Sequence, residues 1–504
     1  VMQIYIFCIT LQHNFYTKMK IIVIGSGFSG LSSAAFLAHK GHDVTVIEKN
    51  SNIGGRARQF KAKGYTFDMG PSWYWMSDVF ENFFKEFNKN IDDYYDLLQL
   101  DPGFKIIFNN KKSLEIPASW DSICQKFEKL EPGSSKKLNS FMKEAEFKYD
   151  FGMNKLVYES GLSFKEVMKK EIFLNIFKLQ MFSSYRKHVA KYFKHPYLIA
   201  LLEFPVLFLG TAPSKTPALY SLMAYSGIKN GTFYPNGGFG KVIDGFAKLC
   251  KEMDVKFKLD ETVKKLNVNN NKVNTVVTNK NNYDCDLVIG SADYNHVDSK
   301  LIPSRYKNYS DKYWDNKTFS PSSLIFYLGV NKKIKNLEHH NLFFDENIDS
   351  HTEEIYSDPK WPTKPLFYVC CPSKTDKNVA PEGKENLFFL MPIAPGLKDD
   401  EKTREKYFKI MLKRLENYTE ENIEENIEFK KSYCVNDFKN DYNAFKGNAY
   451  GLANTLTQTA NFKPKIINKK ISNLFYTGQL TVPGPGVPPS IISGQVVANY
   501  INNL

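Results

Sequence analysis

Lys20-Ile21-Ile22-Val23-Ile24-Gly25-Ser26-Gly27-Phe28-Ser29-Gly30 is the stretch whose reading decides the fold. Its apolar run is that of a short strand buried on both faces. A G-x-G-x-x-G turn follows without a gap. Residues 31–40 read as a helix, and Val44-Thr45-Val46-Ile47 as a second buried strand that ends at Glu48. Strand, glycine turn, helix, strand and acid, in that order, make the fingerprint of a dinucleotide site. Gly25 permits the tight turn, Gly27 lets backbone approach a pyrophosphate, and Gly30 lets helix and strand pack closely. Ser26, Phe28 and Ser29 complete the turn. The helix aims unpaired N–H groups and its positive dipole end at phosphate, and Glu48 is placed to accept hydrogen bonds from a ribose.

The residues that follow favour a flavin dinucleotide over a nicotinamide one. Ile53-Gly54-Gly55-Arg56-Ala57 comes directly after Glu48, and Thr66-Phe67-Asp68-Met69-Gly70-Pro71-Ser72 soon after. A second glycine pair beside an arginine suits a larger, more enclosed dinucleotide, because the planar guanidinium fork matches phosphate.

A chain of 504 residues divides into two or three lobes. Aromatic residues make up 15% of it, which leaves surplus aromatic surface for an apolar tunnel or a membrane-facing patch beyond ordinary core packing. The net charge of +13 favours anionic headgroups. Without an arginine-rich arm or zinc-finger spacing, it does not point to nucleic acid. The seven cysteines form no C-x-x-C pair and are odd in number, so no disulfide framework is expected. A reducing cytoplasmic compartment fits that usage. Residues 1–18 read as an upstream extension ahead of Met19. No later stretch reaches 18 apolar residues free of charge, so membrane contact is expected to be peripheral.

Along the chain, residues 80–87 read as an amphipathic helix, and 104–107 with 113–116 as a hairpin. Residues 121–206 are mostly helical, and 214–225 form another helix. Residues 173–208 interleave Phe177, Met181, Phe182, Tyr185, Tyr192 and Phe193 with Lys178, Arg186, Lys187, Lys191 and Lys194. Such a segment can dip into a bilayer surface, or it can be a packed lobe with a wet basic face. A strand at 255–259 and the segment 261–266 precede residues 272–278 and 287–292, which read as Rossmann-like β text. Further strands at 323–330, 366–370 and 387–391 supply a second sheet.

Beyond the N-terminal motifs, several segments carry a family resemblance. They are Tyr234-Pro235-Asn236-Gly237-Gly238, Ser320-Pro321-Ser322-Ser323, His339-His340-Asn341-Leu342-Phe343-Phe344, Pro372-Ser373-Lys374-Thr375-Asp376 and Ala380-Pro381-Glu382-Gly383-Lys384-Glu385-Asn386-Leu387. The tail Tyr476-Thr477-Gly478-Gln479 and Pro483-Gly484-Pro485-Gly486-Val487-Pro488-Pro489-Ser490 adds to them. From Met19 to Leu504 the chain resembles the bacterial-type phytoene desaturases, FAD-dependent carotenoid desaturases of the flavin amine-oxidase superfamily.

The resemblance implies an α/β fold with a Rossmann-like FAD-binding domain built from discontinuous segments: residues 19–80 with 232–300 and 465–504. A β-sheet substrate domain would comprise 81–120 with 301–464, and a helical lobe open to membrane contact 121–231. Gly25, Gly27, Gly30, Glu48, Gly55 and Arg56 would hold the ADP half of FAD, and the backbone of Val263 its adenine. Met69, Gly70 and Pro71 would lie near the isoalloxazine. Gly478 and Gln479 would approach the ribityl chain, and Val487, Pro488 and Ser490 the flavin ring. Many flavoproteins carry Asp where this chain has Gln479, so that contact adds no negative charge. Ser490 reads as the N-cap of a terminal helix.

The substrate implied is phytoene or another long apolar carotenoid, with oxygen or a quinone as electron acceptor. Related chemistries on the same fold are carotenoid ketolation, hydroxycarotenoid dehydrogenation and retinoid saturation; a non-catalytic prenyl-lipid escort is a further alternative. Desaturation flanking a conjugated triene does not demand a strong base, and no catalytic base or metal site is assigned. His339 and His340 on a strand are expected to face opposite sides, one structural and one exposed, without chelating one metal together. Asp376 and Glu382 serve equally well as turn residues.

Overall fold

The computed structural model describes residues 18–166, 170–175 and 177–504. Most of the extension at 1–18, including Cys8, lies outside the described residues.

Five parallel strands form one layer, in the order Leu474–Tyr476, Leu287–Gly290, Lys20–Ile24, Asp43–Ile47 and Lys256–Lys258. Residues 21–24 of the first strand are all buried, as a central parallel strand covered on both faces requires. The helix Phe28–His39 crosses between the first two strands in chain order and begins three residues earlier than its apolar pattern suggests. The C-terminal helix Val487–Asn502 lies against it so closely that a Cβ on Gly494 would stand 2.5 Å from the carbonyl oxygen of Ser29. The helix Phe239–Glu252 packs on it as well, and Phe246 stacks on Phe83 with ring centroids 4.2 Å apart. The helix Ser77–Lys85 supplies Phe80, Phe83 and Phe84 to that core, with Phe87 just beyond.

Residues 272–278 depart from the Rossmann-like reading. Val263–Asn269, Lys272–Thr278 and Asn282–Asp284 form their own antiparallel sheet of three strands. Their burial alternates, with Leu266, Val273 and Val276 inward and lysines and asparagines outward, which suits a sheet wet on one face.

The second large sheet has seven strands, in the order Ile427–Tyr433, Ser322–Val330, Glu385–Ile393, Phe367–Cys370, His340–Phe343, Phe104–Ile107 and Ser113–Ile116. All its pairings are antiparallel except the one between His340–Phe343 and Phe104–Ile107. The helix Glu401–Thr419 covers one face through Phe408, Met411, Leu412 and Leu415. The other face meets the lobe built from Trp120–Leu130, Ser134–Lys155, Lys170–Asn175, Tyr185–Tyr192 and Pro196–Glu203.

Three expectations need correction. Residues 214–225 do not form a regular helix; a 3-10 turn at Ala218–Ser221 passes into one α turn and a π turn at Tyr225–Lys229. Pro217 blocks an earlier start, and Gly227 lies so close to Trp75 that a Cβ would stand 2.5 Å from its ring. Ser490 is not an N-cap. The terminal helix begins at Val487 behind Gly486, and the Ser490 hydroxyl donates back to the Gly486 carbonyl at 2.8 Å. Finally, His339 and His340 are both buried with rings 4.5 Å apart, because the strand starts only at His340 and alternation does not bind the residue before it.

Candidate functional site

One cavity of about 740 Å³ runs from the carboxyl ends of the parallel strands into the helical lobe. Gly25, Ser26, Gly27, Phe28, Ser29, Glu48, Gly55, Arg56, Met69, Gly70, Pro71, Val263, Gly478, Gln479, Val487, Pro488 and Ser490 all stand on its wall. Of the cofactor residues singled out from sequence, Gly30 alone lies beneath the wall. A Cβ there would meet the Gly25 carbonyl oxygen at 2.1 Å, so its role is close packing of the turn.

The fingerprint folds as its residue types require. Gly25 takes φ +103°, a conformation that costs glycine little. A Cβ on Gly27 would meet nothing within 4 Å, so open space faces the backbone there. The second glycine turn docks onto the first: Gly54 N–H donates to the Ser26 carbonyl at 3.0 Å, and a Cβ on Gly55 would stand 3.1 Å from Gly27 Cα. Glu48 is buried and fully engaged. One oxygen accepts from Ser26 N–H at 3.0 Å and Ser26 Oγ at 2.7 Å, the other from the backbone and side chain of Asn50 at 2.9 and 2.8 Å.

Arg56 reaches in from the second turn. Its Nη2 donates to the Asn448 carbonyl at 3.2 Å, and its guanidinium sits over the Tyr442 ring at 5.0 Å. The Gln479 amide closes this corner once it is turned end for end, which sets its oxygen 3.1 Å from Arg56 Nη2 and its nitrogen 3.3 Å from the Tyr450 carbonyl. Arg56 Nε is buried without a hydrogen-bond partner. Burial lowers the pKa of Arg56 from its usual value, while nearby Asp293 opposes that shift; burial in turn raises the pKa of Asp293.

These features fit a dinucleotide. The helix Phe28–His39 starts at Gly27 with no side-chain cap and no acid in its first turn, so its N–H groups are free for phosphate. The helix Val487–Asn502 likewise starts uncapped at Gly486, with Gly486 and Val487 on the cavity wall. The buried Arg56 Nε is a donor still lacking an acceptor.

Sequence reading missed the far half of the cavity. Met153, Leu156 and Val157 line it from the last turn of the helix Ser134–Lys155 and the turn that follows, where their i, i+3, i+4 spacing was the available signal. Leu219, Tyr220, Leu222 and Met223 line it from the irregular segment that was taken for a regular helix, so no periodicity marked them. Ser291, Ala292 and Asp293, on the turn after Leu287–Gly290, complete the mouth beside the first glycine turn.

The model of the flavin-containing amine oxidoreductase family matches residues 28–502. The chain is 39% identical over 482 residues to a carotenoid 3,4-desaturase of Haloarcula japonica, with 95% of this chain and 97% of that protein covered. It is 28% identical over 490 residues to a zeta-carotene-forming phytoene desaturase of Myxococcus xanthus, covering 96% and 93%. Among solved structures, an oxidoreductase from Methanosarcina mazei superposes with a TM-score of 0.61 at 19% identity, covering 95% of this chain and all of that one, which shows a shared fold. With its glycine turns, Arg56 corner and uncapped helix ends in place, the chain belongs to the flavin-containing amine oxidoreductase family and, within it, to the FAD-dependent carotenoid desaturases.

Proposed function

We propose that this protein desaturates a long acyclic carotenoid, phytoene first among the candidates, inside the large cavity described above. The observation that carries the reading is continuity: the dinucleotide mouth and the apolar channel lined by Met153, Leu156, Val157, Ile172, Met181 and Met223 are one space. A polyene chain lying in that channel would end against the flavin.

In this reading Gly25, Ser26, Gly27 and Arg56 hold the pyrophosphate, Glu48 the ribose region and Val263 the adenine edge. Met69, Gly70, Pro71 and the start of the helix Val487–Asn502 flank the ring. FAD, when bound, supplies the two-electron acceptor. The chain's own contribution is to align the polyene, exclude bulk water and lead the released proton away.

A second position of desaturation has its own support. Full-length identity to the Haloarcula japonica protein, named a carotenoid 3,4-desaturase, exceeds that to the Myxococcus xanthus phytoene desaturase. Expression in one host that accumulates phytoene and in another that accumulates lycopene, followed by pigment chromatography, separates the two. Longer polyenes in the first host support the phytoene reading, new products only in the second support the 3,4 reading, and neither result contradicts both.

The lobe is read as the entry face. Leu174, Phe177 and Phe182 are 64%, 88% and 78% exposed, with Lys178 among them, and Ile172 and Met181 from the same segment line the cavity. Large apolar side chains this exposed, flanked by lysine, suit an anionic bilayer surface. Among the described residues no helix is long and apolar enough to cross a membrane. Oxygen or a membrane quinone would reoxidise the flavin.

A further inference from the structure

Desaturation breaks two neighbouring C–H bonds. One hydrogen leaves with both bonding electrons to the oxidant, FAD. The other leaves as a proton, and the electron pair it leaves behind becomes the new π bond. An apolar cavity solvates a proton poorly, so a polar path out is needed. We propose that the proton leaves through a buried relay that begins at Ser72 and Tyr368 on the cavity wall, passes His340 and His339, and meets solvent at Thr375. The inference rests on the desaturation reading above.

The path is laid out in the side chains. Ser72 and Tyr368 both line the large cavity. The Tyr368 hydroxyl lies 3.0 Å from Ser72 Oγ and 2.5 Å from His340 Nδ1. His340 is fully buried and its ring plane is fixed by stacking on Trp73, with centroids 4.1 Å apart and planes 12° from parallel. The His339 ring centre is 4.5 Å from that of His340, and its Nδ1 lies 2.8 Å from Thr375 Oγ1. Thr375 is exposed. Each imidazole is therefore anchored at Nδ1 by a hydroxyl, one facing the cavity and one facing water.

Between these anchors, the Nε2 atoms of both histidines are buried without hydrogen-bond partners. A second small cavity of about 20 Å³ borders His339, Cys370, Tyr234, Asp68 and Ser72. That is room for one water beside His339, and a ring nitrogen of His339 lies within 4.8 Å of one of His340, a span that one water bridges. Burial keeps both imidazoles neutral, His339 down at about 3 and His340 well below the ordinary histidine value, so each retains an acceptor nitrogen. A proton arriving at the Tyr368 oxygen displaces the hydroxyl proton to His340 Nδ1, and the excess charge passes on by the same exchange.

His339, His340 and Cys370 also place one possible ligand atom each within 4.8 Å of one another. A metal held there would occupy ring nitrogens that the relay needs.

The test uses the full-length flavoprotein with its carotenoid in liposomes, measured in H₂O and D₂O. Tyr368→Phe cuts the path at the cavity and Thr375→Val at the exposed end, where folding is not at stake; Thr375→Ser restores the hydroxyl. The expected result is a rate lowered roughly a hundredfold by either cut, an altered solvent isotope effect, unchanged FAD content, and wild-type behaviour for Thr375→Ser. Independently of turnover, histidine ¹⁵N spectra should shift the His340 Nδ1 signal in Tyr368→Phe and the His339 signal in Thr375→Val.

Wild-type rates and isotope effects in both cut variants, in a protein that does desaturate, would overturn the relay alone. So would one equivalent of tightly bound zinc in the purified protein. A wild type that turns over no acyclic carotenoid overturns the desaturation reading, and the relay with it.

Discussion

Glu48 ties the end of the second parallel strand to the first glycine turn by accepting from both the backbone N–H and the hydroxyl of Ser26, at 3.0 and 2.7 Å. The carboxylate therefore shapes the turn while standing on the cavity wall. Hydrogen bonds to charged groups contribute about 1.5–3 kcal/mol each. Glu48→Ala should weaken FAD binding by roughly a hundredfold or more, whereas Glu48→Gln, which keeps an acceptor, should lose less. FAD retained per protein after gel filtration measures both, and a yellow, fully loaded Glu48→Ala protein would count against this account of the turn.

Gly494 should prove as unforgiving as the fingerprint glycines, although no motif marks it. A Cβ there would stand 2.5 Å from the Ser29 carbonyl oxygen and 2.7 Å from Ser32 Cβ. Both contacts belong to the first turns of the helix Phe28–His39, so neither can yield without tilting one helix from the other. Gly494→Ala should cost about 1–3 kcal/mol by overpacking, read as a lower denaturant midpoint. At Gly41, where a Cβ would meet nothing within 4 Å, the strain of φ +91° is the only penalty, so Gly41→Ala should cost less.

Lys463 is buried, and its Nζ has no hydrogen-bond partner. Burial, with Lys317 adding repulsion, pulls its pKa from 10.5 down to about 7. In the unfolded chain this amine holds its proton up to about 10.5, so between pH 7 and 10.5 the unfolded state binds more protons than the native one. Stability from this group therefore rises with pH across that window, and its cost is greatest at and below pH 7. Lys463→Met should raise Tm by roughly 2–4 °C or more at pH 7, with the gain shrinking toward pH 10. A gain independent of pH, or a loss, would contradict the burial account.

The exposed apolar residues of the lobe give the membrane reading its own test. Phe177→Ser combined with Phe182→Ser should reduce co-sedimentation with anionic liposomes severalfold while FAD content and Tm stay unchanged, because neither side chain supports the core. Equal sedimentation of the double variant and the wild type would move the contact surface elsewhere.

The cofactor half of the site was legible in sequence because glycine and local order dictate it. A G-x-G-x-x-G turn between a buried strand and a helix can be built in few ways, and the cavity wall carries every cofactor candidate save Gly30. The far half was not legible, because Tyr220 and Met223 sit on a segment broken by Pro217 and a π turn, where no period survives. Ser490 misled because a serine after two prolines imitates a cap, yet proline is also at home in the first turn of a helix, which let this one begin at Val487. His339 and His340 misled because alternation applies within a strand, and only His340 is in one.

The central claim is that the apolar channel delivers a polyene to a flavin held by the glycine turns and Arg56. Anaerobic mixing of the purified, FAD-loaded protein with phytoene in liposomes, and separately with lycopene, tests it most directly. The account predicts bleaching of the oxidised-flavin absorbance with at least one of them, matched mole for mole by a new double bond in the recovered carotenoid. A flavin that stays oxidised with both, in a protein that binds the liposomes and carries full FAD, would contradict it.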